Sequence, residues 1–255
     1  MVCFFVNRII VPVFPAGFKP AHFCGFDFCR PAGYHGIMMI AARALMLAGL
    51  LAAMALRAAE TNRIMFAENF SHGLPNGWEN TAYFKTPTDY HVVREGTNGF
   101  VRGVAASTCS ALSRTLDCAP PAKLKLRWRW RIAGVNTNGS ERDLKKFDHA
   151  ARVFVAFDTF IGPPRTLNYF WGDTEPAGTV LAHPKSGRAQ MFILESGNAK
   201  AGKWIGEERD LVADWKRVFP DQPMSKIVGL GLMTDSDSLG QTLTGDYADI
   251  ELTGE

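Results

Sequence analysis

Between Lys123 and Ile132 the chain alternates without a break. Leu124, Leu126, Trp128, Trp130 and Ile132 take one set of positions, and Lys123, Lys125, Arg127, Arg129 and Arg131 take the other. A period of two puts the sets on opposite faces of a β-strand, with indoles inward and cations outward. Shorter β-rich runs fall at Phe66–Phe70, Tyr90–Arg94, Phe100–Ala106, Leu112–Leu116, Ala151–Phe157, Met191–Leu194, Ile227–Met233 and Tyr247–Leu252. Turn residues separate most of them, as in Ser71–Trp78 with Gly73, Pro75 and Gly77. Ala151–Phe157 and Ile227–Met233 are apolar on both faces, which predicts central strands covered on both sides. One helix is predicted at Glu208–Phe219, where Leu211, Val212, Trp215 and Phe219 keep helical spacing and Pro220 stops it. Many short strands and one helix predict an all-β fold, a sandwich or barrel.

A different pattern precedes the strands. Ala44–Leu56 is uncharged, follows Arg43 and the methionines Met38 and Met39, and ends in Ala53-Met54-Ala55. A cationic start, a short apolar run and small residues at its end make a cleavable signal peptide over 38–59. The run is shorter than the roughly 20 residues a membrane span needs. Residues 1–37, rich in Phe and Pro without a helical or two-residue period, read as a leader or as sequence upstream of the true start. The working protein is then 60–255, one domain, periplasmic or secreted, with no stable membrane span.

Charge changes with that division. Five of the 28 basic and one of the 25 acidic side chains precede residue 60, leaving 23 against 24, a net of −1. That balance argues against a nucleic-acid binder. The five cations of Lys123–Arg131 could hold a polyanion such as a sulfated or uronic-acid glycan, but with that balance they read first as a solvated sheet face whose neighbours supply carboxylates across the ladder. Cys109 and Cys118 are the two remaining cysteines, and Ser110–Asp117 has no Gly or Pro to fold the chain back between them. On one extended strand they lie about 30 Å apart, beyond the roughly 7 Å a disulfide allows.

No residue set identifies a catalytic site. His72, His91, His149 and His183 are scattered, and no HExxH, Gly-x-Ser-x-Gly or phosphate-binding glycine loop occurs. Glu195, Glu207, Glu208, Asp210 and Asp214 supply carboxylates for a glycosidase-type pair, without a spacing that selects two of them. Asp235-Ser236-Asp237-Ser238-Leu239-Gly240 opens like a calcium loop with Asp246 at its twelfth position, but a strand follows where an EF-hand needs a helix. Trp78, Trp171 and Trp204 lie beside glycines or in polar stretches and are the expected ligand-stacking aromatics.

Several motifs together resemble an exported bacterial family defined as a domain of unknown function. They are Trp128–Arg131, Asp148–Asp158, Asn168–Gly172, Trp204–Arg209, Met233–Asp237 and Gly245–Ile250, and the similarity runs from about Phe66 to Leu252. The resemblance implies an exported single domain and gives no reaction. Phe66–Trp78 and Tyr247–Leu252 also look like the first and last strands of jelly-roll carbohydrate-binding modules. That likeness implies a jelly-roll β-sandwich and a structural calcium held by Glu68 and Asp249, with Asp246 as a further oxygen donor. The expected partner is a glycan or other envelope polymer. The alternatives are a carbohydrate-active hydrolase using a carboxylate pair, and a structural or protein-binding module.

Overall fold

The computed structural model describes residues 63–82 and 86–255. The stretch expected to be a signal peptide, 38–59, and the residues upstream of it lie outside the described residues. Among the described residues thirteen strands follow in chain order: β1 Arg63–Glu68, β2 Trp78–Ala82, β3 Asp89–Glu95, β4 Asn98–Ala106, β5 Cys109–Cys118, β6 Leu124–Ile132, β7 His149–Phe157, β8 Arg165–Gly172, β9 Val180–His183, β10 Ser186–Ser196, β11 Ile205–Asp210, β12 Ile227–Asp235 and β13 Thr242–Gly254. A 3-10 turn occupies Leu144–Lys146 and one helix, α1, occupies Leu211–Val218. One sheet runs β11-β6-β13-β4-β3 with β1 also on β13, and the other runs β2-β5-β12-β7-β8-β10-β9. All pairs are antiparallel except β8 with β10. The result is a jelly-roll-type β-sandwich. Among the described residues no helix is long and apolar enough to cross a membrane.

The alternation of β6 holds as read. Leu124, Leu126, Trp128, Trp130 and Ile132 are buried between the sheets. Trp128 packs edge-on against Trp130 at 5.4 Å between ring centroids, Tyr169 lies 5.3 Å from Trp128, and Trp171 lies 5.8 Å from Trp130. The outward cations meet carboxylates of neighbouring strands. Glu208 bridges Lys125 and Arg127 at 2.7 and 2.6 Å, Arg131 reaches Asp246 and Glu95, and Lys123 reaches Glu255.

β13 shows why register matters. Leu243 and Tyr247 point inward at odd positions, while Ile250 and Leu252 point inward at even ones. The register of β13 against β6 slips between Ala248 and Glu251, and Asp249 sits there at φ 49°. A bulge inserts one residue and reverses the parity, so both halves of the strand bury their apolar side chains.

Three expectations change. The helix begins at Leu211 instead of Glu208, because Ile205–Asp210 pairs with β6 and the Asp210 carboxylate caps the helix by accepting from the Ala213 N–H at 3.0 Å. Trp78 and Trp171 stand in strands and not in loops. β7 and β12 are central, but only one of their faces packs against the other sheet. Cys109 and Cys118 end one continuous strand and are both free thiols.

Candidate functional site

The expected aromatic platform is not where the sequence put it. Trp78 is 8% and Trp171 0% exposed, both inside the sandwich, where no sugar ring can stack on them. Trp204 is half-buried against Phe100, with the guanidinium groups of Arg129 and Arg131 within 5.2 and 4.7 Å of its ring. The expected calcium trio is also divided. Asp246 is buried and takes Arg102 in two hydrogen bonds of 2.7 and 2.9 Å, with Arg131 as a third donor, so it is not available to a cation. Glu68 and Asp249 do line one depression. Glu68 accepts from the Phe70 N–H at 2.8 Å, and Asp249 accepts from Arg129.

Most of the carboxylates considered for hydrolysis are already engaged by protein partners. Asp214 is buried under Arg209 and the Tyr169 hydroxyl, Glu195 pairs with Lys200, and Glu208 is held by its two cations. Glu207 accepts from Trp130 Nε1 at 3.2 Å, and burial together with Glu195 pushes its carboxyl up to about 7.

A cleft forms instead on the outer face of the seven-stranded sheet. Val153, Val155, Leu230 and Leu232 face the core, so alternation turns Arg152, Phe154, Met233 and Asp235 outward. With Asn168 and Thr166 of β8 they floor a cavity of about 730 Å³. Its walls come from Leu144 and Phe147, from His183, Lys185 and Ser186, and from Asp237 and Ser238. The apolar runs read as doubly covered strands are thus open on this side.

Phe154 lies opposite Gly231 in the ladder. A Cβ on Gly231 would collide with the Phe154 ring, at 2.6 Å from Cε1, so the absent side chain makes room for the tip of the ring over β12. That makes a half-exposed aromatic floor. Arg152 stands beside it, its guanidinium 5.1 Å from the Phe170 ring centroid, 3.6 Å from Asp235 and in contact with the Met233 sulfur. Its Nε is buried without a protein partner. Burial pushes the Asp235 carboxyl up to about 6 despite Arg152. Burial, Asp235 and Asp237 push the Cys109 thiol up to about 12, so it is no thiolate nucleophile at neutral pH. The His183 imidazole is pushed down to about 4 by burial and by Arg152, and stays neutral.

The arrangement offers a flat apolar ring, a guanidinium donor, an amide and two carboxylates around one cavity. Sequence reasoning missed it because these residues come from separate strands and loops. The one local signal was Arg152, a cation inside an otherwise apolar run, followed two residues later by Phe154.

The model of the family described as "Protein of unknown function (DUF3047)" matches residues 76–251. No curated protein matches the chain. Among solved structures, a family 11 carbohydrate-binding module of the cellulosomal cellulase Lic26A-Cel5E of Clostridium thermocellum is similar with a TM-score of 0.44 and 9% identity, over 78% of this chain and 97% of that one. The xyloglucanase domain of NopAA from Sinorhizobium fredii, in complex with cellobiose, has a TM-score of 0.43 and 7% identity over 76% and 100%. The K3 cleaved adhesin domain of Lys-gingipain from Porphyromonas gingivalis has a TM-score of 0.41 and 9% identity over 76% and 99%.

Proposed function

This chain belongs to the DUF3047 family of proteins of unknown function, whose matched span contains every residue of the cleft, and on that premise we propose that the cleft binds a glycan of the cell envelope. The observation that carries the reading is the partly exposed Phe154 ring, seated over Gly231 at the floor of a polar-walled cavity. A sugar ring presents an apolar face of C–H groups and an equatorial rim of hydroxyls. The first suits an aromatic platform, and the second suits planar donors and acceptors such as Arg152, Asn168 and Asp237. The Arg152 side chain lines the cavity beside Asn168 and offers guanidinium N–H groups to a ligand.

The test is a glycan array on the purified protein, followed by calorimetric titration of each hit. Phe154→Ala is expected to weaken binding about tenfold or more, as for a central aromatic anchor, while Trp204→Ala leaves it unchanged. Loss of binding on removing Trp204 with Phe154 neutral would place the ligand on the other sheet and end this reading.

One observation favours hydrolysis as a second reading. Carboxylate oxygens of Asp235 and Asp237 lie within 4.8 Å of each other in the cleft, near the separation of a retaining glycosidase pair. The two leave the same strand end, however, and Asp235 is already engaged by Arg152 and the His149 N–H. Binding is therefore the preferred reading. New reducing ends from a hit glycan, abolished by Asp237→Asn, would reverse the preference.

The calcium expectation reduces to Glu68 and Asp249, and it is kept as a proposal. An ion there has to share Asp249 with Arg129. Calcium at about 100-fold above its dissociation constant is expected to stabilise the fold by about 2.7 kcal/mol, which raises the melting midpoint by roughly 5–10 °C. Glu68→Gln removes the rise; an unmoved midpoint in the unaltered protein removes the site.

A further inference from the structure

Behind the wall of the cleft lies a second polar cluster, independent of glycan binding. Glu141 stands in the loop after β6, His149 opens β7 and Asp173 follows β8. They are 0%, 0% and 8% exposed, and one ligand atom from each lies within 4.8 Å of the others. Both ring nitrogens of His149, Oδ2 of Asp173 and Nδ2 of Asn136 are buried without a protein partner. Asn136 belongs to the same loop, its N–H donating to the other Asp173 oxygen at 3.2 Å. Buried polar atoms almost always find partners, and each one left bare costs about 1–3 kcal/mol. Four such atoms in one place mark a missing partner.

Electrostatics selects what that partner is. An Asp173 oxygen, a Glu141 oxygen and a His149 nitrogen lie within 4.8 Å of one another, so two carboxylates converge on one imidazole. Asp173 Oδ2 and the His149 ring nitrogens have no protein donor or acceptor. Glu141 accepts from four donors, the N–H groups of Asp173, Thr174 and Glu175 and the Thr174 hydroxyl at 2.8 Å, so its lone pairs are taken and it stands as a fixed negative charge beside the bare atoms. Gly139 is part of the cradle, since a Cβ there would run into Asp173 Oδ2. A cation resolves two clustered carboxylates and a bare imidazole together, where a water molecule leaves the like charges opposed.

We infer that His149 and Asp173, held beside the Glu141 carboxylate, bind a divalent transition-metal ion of the zinc type. An imidazole nitrogen with carboxylate oxygen suits zinc or manganese better than calcium or magnesium, which take oxygen-only shells. Water would fill the remaining positions of such a shell. The ion's role is to fix the cleft wall. The His149 ring packs edge-on at 4.5 Å from Phe147, which lines the cleft, and at 4.6 Å from Phe170.

Elemental analysis of the purified full chain, before chelation and after repletion with zinc, tests this. One equivalent of zinc per chain is expected, with a melting midpoint several degrees higher than the chelated form. Zinc absorption spectroscopy is expected to show nitrogen and oxygen donors only. Asp173→Asn and His149→Ala should each lose the equivalent. Chelated and zinc-treated protein that melt alike with no bound metal overturn the inference, and that result needs no variant to fold. A sulfur donor in the spectrum, lost in Cys109→Ser, also overturns it by moving the ion to the Cys109, Asp235 and Asp237 group in the cleft.

Discussion

Replacing Trp130 with alanine is expected to cost about 3–5 kcal/mol and to lower the melting midpoint by roughly 10 °C. Trp130 is fully buried at the centre of the sandwich, between Trp128 and Trp171. Removal leaves a cavity walled by rigid rings, which collapse poorly around a void. It also strips Glu207 of the Nε1 donor at 3.2 Å, so a half-buried carboxylate loses a partner in the same step. Denaturant melts of the variant against the unaltered protein measure the effect. A loss below about 1 kcal/mol would mean that the indole does not pack between the sheets as described.

The second large effect is a pH dependence centred on Glu207. Burial first, then the nearby Glu195, push its carboxyl up to about 7, and Trp130, Lys200 and Arg209 only partly offset this. A carboxylic acid raised in the folded state binds its proton more tightly there than in the unfolded chain. Its contribution to stability is full below about pH 4.5 and is lost as pH rises through about 7. A rise of that size in a fully buried group corresponds to about 3 kcal/mol, and solvent screening of this half-buried carboxyl reduces it to about 2 kcal/mol. Glu207→Gln keeps an oxygen for Trp130 to donate to and removes the titration. Stability of the unaltered protein should fall by about 2 kcal/mol relative to the variant between about pH 4.5 and pH 8, measured by denaturant melts across that range. A difference that stays constant with pH would show that Glu207 does not titrate there.

Much of the sandwich was written locally. β6 declares its two faces because strict alternation has only one solution once the apolar set must be buried. The near-neutral charge of 60–255 implied that the β6 cations have partners, and Glu208, Asp246 and Glu95 are among them. The sequence left open whether the chain turns between the two cysteines; one continuous strand joins them, and both thiols are free. The helix was visible through Leu211 and Trp215, while its start was misread because Glu208 and Arg209 suit a helix N-terminus as well as a strand. Pairing with β6 decided between them.

Other features exist only once distant segments meet. Whether an indole beside a glycine is exposed depends on what packs over it, and Trp171 next to Gly172 is sealed by the sheet of β6. Asp246 looked like a calcium ligand because its partner Arg102 lies 144 residues away in sequence. The cleft was hidden for the same reason. β7 and β12 are apolar on both faces, and a sequence records that a face is apolar without recording what covers it. Hydrophobic patterning is a local quantity, so the chain by itself determined the all-β class and the clearest strands with their inward faces, while β2, β8, β9 and β11 went unread. Coverage, pairing partners and the meeting of Glu141, His149 and Asp173 are relations between segments, and only the tertiary structure decided them.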